Sequence, residues 1–138
     1  MTALHFESYT EARAHMKEML DAAERGQSAS VRRGTMTAMV IDANRLSRFL
    51  LTAYPSRAQV VEEGGGWSVV IPGLPVAADG ATFDEAITEM IDALREYAED
   101  WEESLYGVPN HSGNWPLAHL VQFSDDAQLR DWLLEPAL

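Results

Sequence analysis

The sequence predicts an α+β protein in two parts, and three observations carry that reading. Short stretches such as Leu4-His5-Phe6 and Trp67-Ser68-Val69-Val70-Ile71 have the alternation or β-branched content of strands. Between them lie segments with helical spacing. The longest runs through Phe83, Ile87, Met90, Leu94, Tyr97 and Trp101 in alternating steps of four and three. The charge is also divided. Residues 1–58 hold eight cations and six anions, whereas residues 59–138 hold two cations and sixteen anions. One part can approach a polyanion and the other repels it.

A chain of 138 residues can bury one core or two small ones, and a hydrophobic content of 46% excludes a wholly disordered protein. There is no cysteine, which removes disulfides and Cys-ligated metal sites. No apolar run approaches membrane-spanning length, and the N-terminus lacks a basic-plus-apolar signal pattern, so a cytoplasmic location is expected. Internal repeats and low-complexity segments are absent from the sequence.

The first part, residues 1–55, reads as β-α-β-β-α. Leu4 to Glu7 is a short half-buried strand. Ser8 and Glu11 have capping-box spacing, and Ala12, Met16, Met19, Leu20 and Ala23 then form one apolar helix face. Gly26 stops that helix. Ser30 to Ile41 is a hairpin turning at Gly34, with Arg32 and Arg33 just before the turn. Such a tip suits phosphate contact, and its plain alternative is a solvated turn. Asp42 caps a second helix with Leu46, Phe49, Leu50 and Ala53 on its apolar side, and Pro55 ends it. A unit of this size has a thin core and open strand edges, which favours a dimer.

The order Ser8-Tyr9-Thr10-Glu11-Ala12-Arg13, helix, Gly26, Val31-Arg32-Arg33-Gly34, apolar strand, short helix resembles the Phd/YefM family of bacterial antitoxins over roughly residues 3–52. The resemblance implies a homodimer that binds operator DNA. Arg13 matches the family's S-E-A-R arginine, and Arg32 or Arg33 matches its basic hairpin residue. Arg45, with Arg48, is a further candidate on the second helix. The plain alternative for each is a solvent-facing cation.

The second part, residues 57–138, opens with strands Gln59–Glu62 and Trp67–Ile71 joined by a turn at Glu63-Gly64-Gly65-Gly66. Ala78-Asp79-Gly80-Ala81 reads as another turn, and Thr82 with Glu85 caps the long helix. That helix carries nine acids on its outer side and Arg95 as its only cation. Residues Tyr106–Pro116 read as a loop, where His111 and Trp115 are expected in surface or packing roles. Leu117–Phe123 reads as a strand, and Ser124 as the cap of a final helix bearing Leu129, Trp132 and Leu133. The order strand, G-x-W, strand, P-G-L-P, G-x-T-F-D-E-A, long helix, late strand resembles the HicB family over about residues 59–125. Many of its members neutralise an RNase toxin. Usual HicB antitoxins place a separate DNA-binding domain after this segment, and none is visible in these 138 residues. The first part would supply that role.

Catalytic signatures are missing. His5, His15, His111 and His119 form no H-x-x-x-H or H-E-x-x-H, and no phosphate loop or nucleophile elbow occurs. The expectation is therefore no enzyme, no cofactor and no metal. The predicted function is an antitoxin that binds its cognate toxin, a basic RNase or ribosome-directed protein, and represses its operon as a dimer on operator DNA, with no membrane association. Asp126, Asp131, Trp132 and Leu133 are the candidate partner-binding residues, pairing acids that steer encounter with apolar anchors that hold. The alternative for Trp132 is packing within its own domain. Rival functions are a ligand-sensing transcription regulator without a toxin and, more remotely, a metal-dependent hydrolase using helix carboxylates.

Overall fold

Strand β1 (Leu4–Phe6) lies parallel to β2 (Ala29–Arg33), and β2 lies antiparallel to β3 (Met36–Met39), giving a sheet in the order β1-β2-β3. The computed structural model describes residues 3–135. A parallel pair needs a crossover, and here it is helical. Ser8 accepts the Glu11 N–H and starts α1 (Tyr9–Ala14), which stops at His15 and resumes as α2 (Met16–Glu24). One continuous helix was expected. The break falls where the Phe6 ring stacks on His15, with centroids 5.1 Å apart and planes 11° from parallel. At the far end Gly26, with φ of 79°, donates to Ala23 O while Gln27 donates to Ala22 O. These two bonds are a Schellman stop, and the left-handed backbone there suits glycine. Ala12, Met19, Ala22 and Ala29 form a small core, with Leu4, Phe6, Val31 and Val40 packed against it.

Helix α3 (Ala43–Ala53) begins with Asp42 accepting the Arg45 N–H at 3.0 Å. The chain divides into two compact units between Leu46 and Ser47, inside α3 rather than near Pro55. The reason lies in the second half of α3. Ser47 is buried and its hydroxyl meets Ser124 Oγ at 3.0 Å, while Tyr54 O accepts the Trp132 indole N–H at 2.7 Å. Both partners belong to the second unit.

The second unit is a meander, β4 (Gln59–Glu63), β5 (Gly66–Val70) and β6 (Ala77–Gly80), crossed by the 21-residue α4 (Phe83–Glu103). Thr82 caps α4 by accepting the Glu85 N–H, and Glu85 in turn accepts the Ala81 N–H. The expected stripe is inside: Ile87, Met90 and Leu94 are fully buried, with Tyr97 and Trp101 nearly so. Helices α5 (Trp115–Gln122) and α6 (Asp126–Leu134) complete the core through Leu117, Leu120 and Leu129.

Three expectations change. Leu117–Phe123 is helical, not a strand. Pro116 sits in the first turn, where its missing N–H costs nothing, and the buried Leu117, Ala118, Leu120 and Val121 have helical spacing. The third strand is instead β6, in place of a turn. Its Gly80 is set by packing, because a Cβ there would lie 2.4 Å from the Ala86 backbone nitrogen of α4. The cap of α6 is Asp125, which forms a reciprocal box with Gln128, while Ser124 is buried beside Ser47.

Candidate functional site

The basic hairpin is present as a local structure. Arg32 pairs with Thr37 and Arg33 with Met36, and Gly34, with φ of 61°, makes the turn. Successive strand residues face opposite sides of a sheet, so Arg32 and Arg33 do not act from one face. Val31 packs on the helices, which puts Arg33 on that face, beyond the core. Arg32 shares the open face with Ser30 and Thr37, and its Nε donates to Gly34 O at 3.2 Å. Ser30 is held there by His5 Nδ1 at 2.7 Å. Both arginines are exposed.

Arg13 is exposed in the last turn of α1 and makes no ion pair among the described residues. Arg45 is differently placed. Its guanidinium reaches Glu24 O at 3.4 Å and packs against Gly26, where it satisfies a free carbonyl at the end of α2. That contact favours a structural role for Arg45 over a DNA contact. Lys17 is committed to Asp21 at 2.9 Å, and that hydrogen bond, reinforced by the carboxylate charge, raises the ammonium pKa. The unit also exposes Tyr9, Met16, Leu20, Met36 and Met39, although Met16 and Leu20 were expected inside. A core built largely of alanine leaves no depth to cover them.

In the second unit the predicted partner residues separate. Trp132 and Leu133 are 3% and 2% exposed, so they are core side chains in this structure, and their assignment as partner anchors is corrected. Helix α6 turns that face inward because Leu129, Trp132 and Leu133 share it. Asp126 pairs with Arg95 at 2.5 Å, and Arg95 also donates to Val121 O and Ser124 O at 3.1 and 3.2 Å. The other cation of residues 59–138, Arg130, pairs with Asp84 at 2.7 Å. Asp131 stays exposed.

The most exposed aromatic of this unit is Phe49, at 65%, although it was expected on the apolar side of α3; Tyr106 and Trp115 follow at 59% and 47%, with Phe123 at 41%. Sequence reasoning placed Tyr106 and Trp115 in a loop. The loop is pinned from beneath. Asn114 Nδ2 donates to the Tyr97 hydroxyl at 2.9 Å, that hydroxyl meets His111 Nδ1 at 2.8 Å, and the Trp101 indole N–H donates to His111 O at 2.8 Å. The usable sequence signal was a pair of aromatics flanking a Gly/Pro/Asn segment directly after an acidic helix.

Among the described residues, no group of three or more His, Asp or Glu is arranged to hold a metal ion, and no helix is long and apolar enough to cross a membrane.

A family model described as the antitoxin of a toxin–antitoxin system, RelE / RelB, and labelled PHD-like, matches residues 1–133. One solved structure, the antitoxin part of a proposed toxin/antitoxin system from Syntrophomonas wolfei subsp. wolfei, superposes with a TM-score of 0.78. It is 21% identical, and the match covers 96% of each chain. At that identity the likeness speaks for the fold. No curated protein matches the chain.

Proposed function

The chain belongs to the PHD-like family of antitoxins, and on that premise we propose that it silences a cognate toxin by direct binding and represses its own operon as a dimer on operator DNA. The observation that carries this reading is the span of the family match, which takes in both units rather than the first alone. The first unit supports the DNA role with Arg13 and Arg33, exposed and without an ion pair among the described residues, and with Arg32 on the open sheet face. Its exposed apolar side chains, and the edge strands β1 and β3 of its sheet, support a second copy as partner. The second unit, with four cations against sixteen anions from Ser47 onward, supports a basic partner such as an RNase or ribosome-directed toxin. A protein whose partners are a toxin and its own operator works in the cytoplasm.

The test is twofold. Co-expression of the chain should restore growth to cells making the toxin encoded beside it, and the purified chain should shift a fragment carrying its promoter. Rescue without the shift would leave a toxin binder that is not a repressor. A promoter shift without rescue would favour the ligand-sensing regulator.

A further inference from the structure

We propose that the aromatic end of the α4–α5 pair, Tyr106 and Trp115 with the groove beside them, is the surface on which a basic face of the toxin docks. The inference rests on the antitoxin reading above and assigns it a surface. Four rings form a chain. Tyr106 lies 6.3 Å from Trp101, Trp101 lies 5.8 Å from His119, and His119 lies 5.6 Å from Trp115, measured between centroids. Trp101 at the centre is 8% exposed, while the terminal Tyr106 and Trp115 are largely open. The unit thus holds two large aromatic rings at its surface on a buried aromatic base. Tyrosine and tryptophan are the types that dominate binding energy at protein interfaces.

The surface is also preorganised. The Tyr97, His111 and Asn114 hydrogen bonds and the Trp101 indole bond fix the loop, so little ordering entropy remains to be lost on binding.

The third support is chemical. Trp115, His119 and Gln122 recur at helical spacing on α5, and Gln122 lines a groove of about 600 Å³ between α4 and α5. Glu99, Glu102 and Glu103 form its α4 wall, and none has a cationic partner among the described residues. Arg95, at the groove's edge, is already held by Asp126 and two carbonyls. An arginine- or lysine-bearing segment fits this combination, because its cations meet carboxylates in the groove and an aromatic face beside it. Nucleic acid and an anionic lipid surface are both disfavoured by the same acids.

The experiment uses the full chain and the purified toxin from the neighbouring reading frame. Surface-captured binding is followed for wild type, for Tyr106→Ala/Trp115→Ala, for Glu102→Lys/Glu103→Lys, and for Val61→Ser, an exposed site on β4. The aromatic pair should dissociate roughly 30-fold faster or more, as loss of a hot-spot pair does. The charge reversal should slow association about tenfold at low salt and less at high salt. Val61→Ser should match wild type. If either surface variant melts below wild type, hydrogen exchange on the wild-type complex decides instead, with slowed amides expected over residues 105–122. Wild-type binding rates in both folded variants, or unchanged exchange over 105–122, overturn this surface while the antitoxin reading stands. A wild-type chain that does not bind the toxin overturns both. Loss of self-association in the aromatic variant, with toxin binding intact, would mean that a second copy of this chain covers the face, and would overturn the proposal as well.

Discussion

Arg32 and Arg33 are neighbours in the sequence but face opposite sides of their sheet, so they are not interchangeable. Each phosphate contact removed should lower the salt-dependence slope of operator binding by roughly 0.9. Alanine at Arg13, Arg32 and Arg33 is expected to weaken binding and flatten that slope, and comparing the single variants tells which sheet face meets the duplex. Alanine at Arg45 should lower stability more than DNA affinity, because its guanidinium caps Glu24 O. Wild-type affinity and slope in the triple variant would remove the assignment. Trp132 makes the opposite case. It is buried and donates to Tyr54 O, so Trp132→Ala is expected to cost about 3–5 kcal/mol of folding stability. A thermal melt reads it. An unchanged melting temperature with faster toxin release would return Trp132 to the interface. From the sequence alone Trp132 was ambiguous. An aromatic beside Leu133 and Asp131 looks the same whether the helix turns it inward or outward, and only the neighbours that α6 meets decide.

At the scale of elements, periodicity predicted what periodicity governs. The α4 stripe, its Thr82 cap and the β2–β3 turn at Gly34 follow from local spacing and local backbone chemistry. What escaped was decided by packing at a distance. A seven-residue apolar run, Leu117–Phe123, fits a strand or a buried helix equally well until α4 lies against it. Gly80 looks like a turn residue, yet it is glycine because β6 passes so close to α4. The two misreadings are linked, since β6 is the third strand of the order β4-β5-β6 and the late run is a helix of the core instead. A comparison of glycines tests this account. Gly80→Ala drives a Cβ into the Ala86 backbone and should cost roughly 1–3 kcal/mol or more. Gly64→Ala, at φ of 60° with open space around it, should cost about 1 kcal/mol through backbone conformation alone. Equal losses in chemical denaturation would mean that the close approach is not the reason for Gly80.

For the whole molecule, the position of the division inside α3 changes both the charge argument and the way the chain should be cut. Up to Leu46 the chain has six cations and six anions, so the first unit is neutral rather than net positive. Its approach to DNA then depends on where the exposed arginines sit, not on total charge. From Ser47 onward the imbalance remains large, with four cations and sixteen anions. A fragment beginning at residue 57 keeps the acids but loses Ser47 and Tyr54, leaving Ser124 Oγ and the Trp132 indole N–H without their partners. An unpaired buried polar group costs about 1–3 kcal/mol, so residues 47–138 should melt well above residues 57–138. The longer fragment is therefore the one to titrate against the toxin. It is expected to inhibit without the first unit, and its association rate should fall as salt screens the acidic surface. Residues 1–55 are expected to leave toxin activity unchanged. If the first unit inhibits while residues 47–138 are folded and inert, the acidic unit is not the toxin-binding one, and its carboxylates serve only to keep the chain soluble and away from nucleic acid.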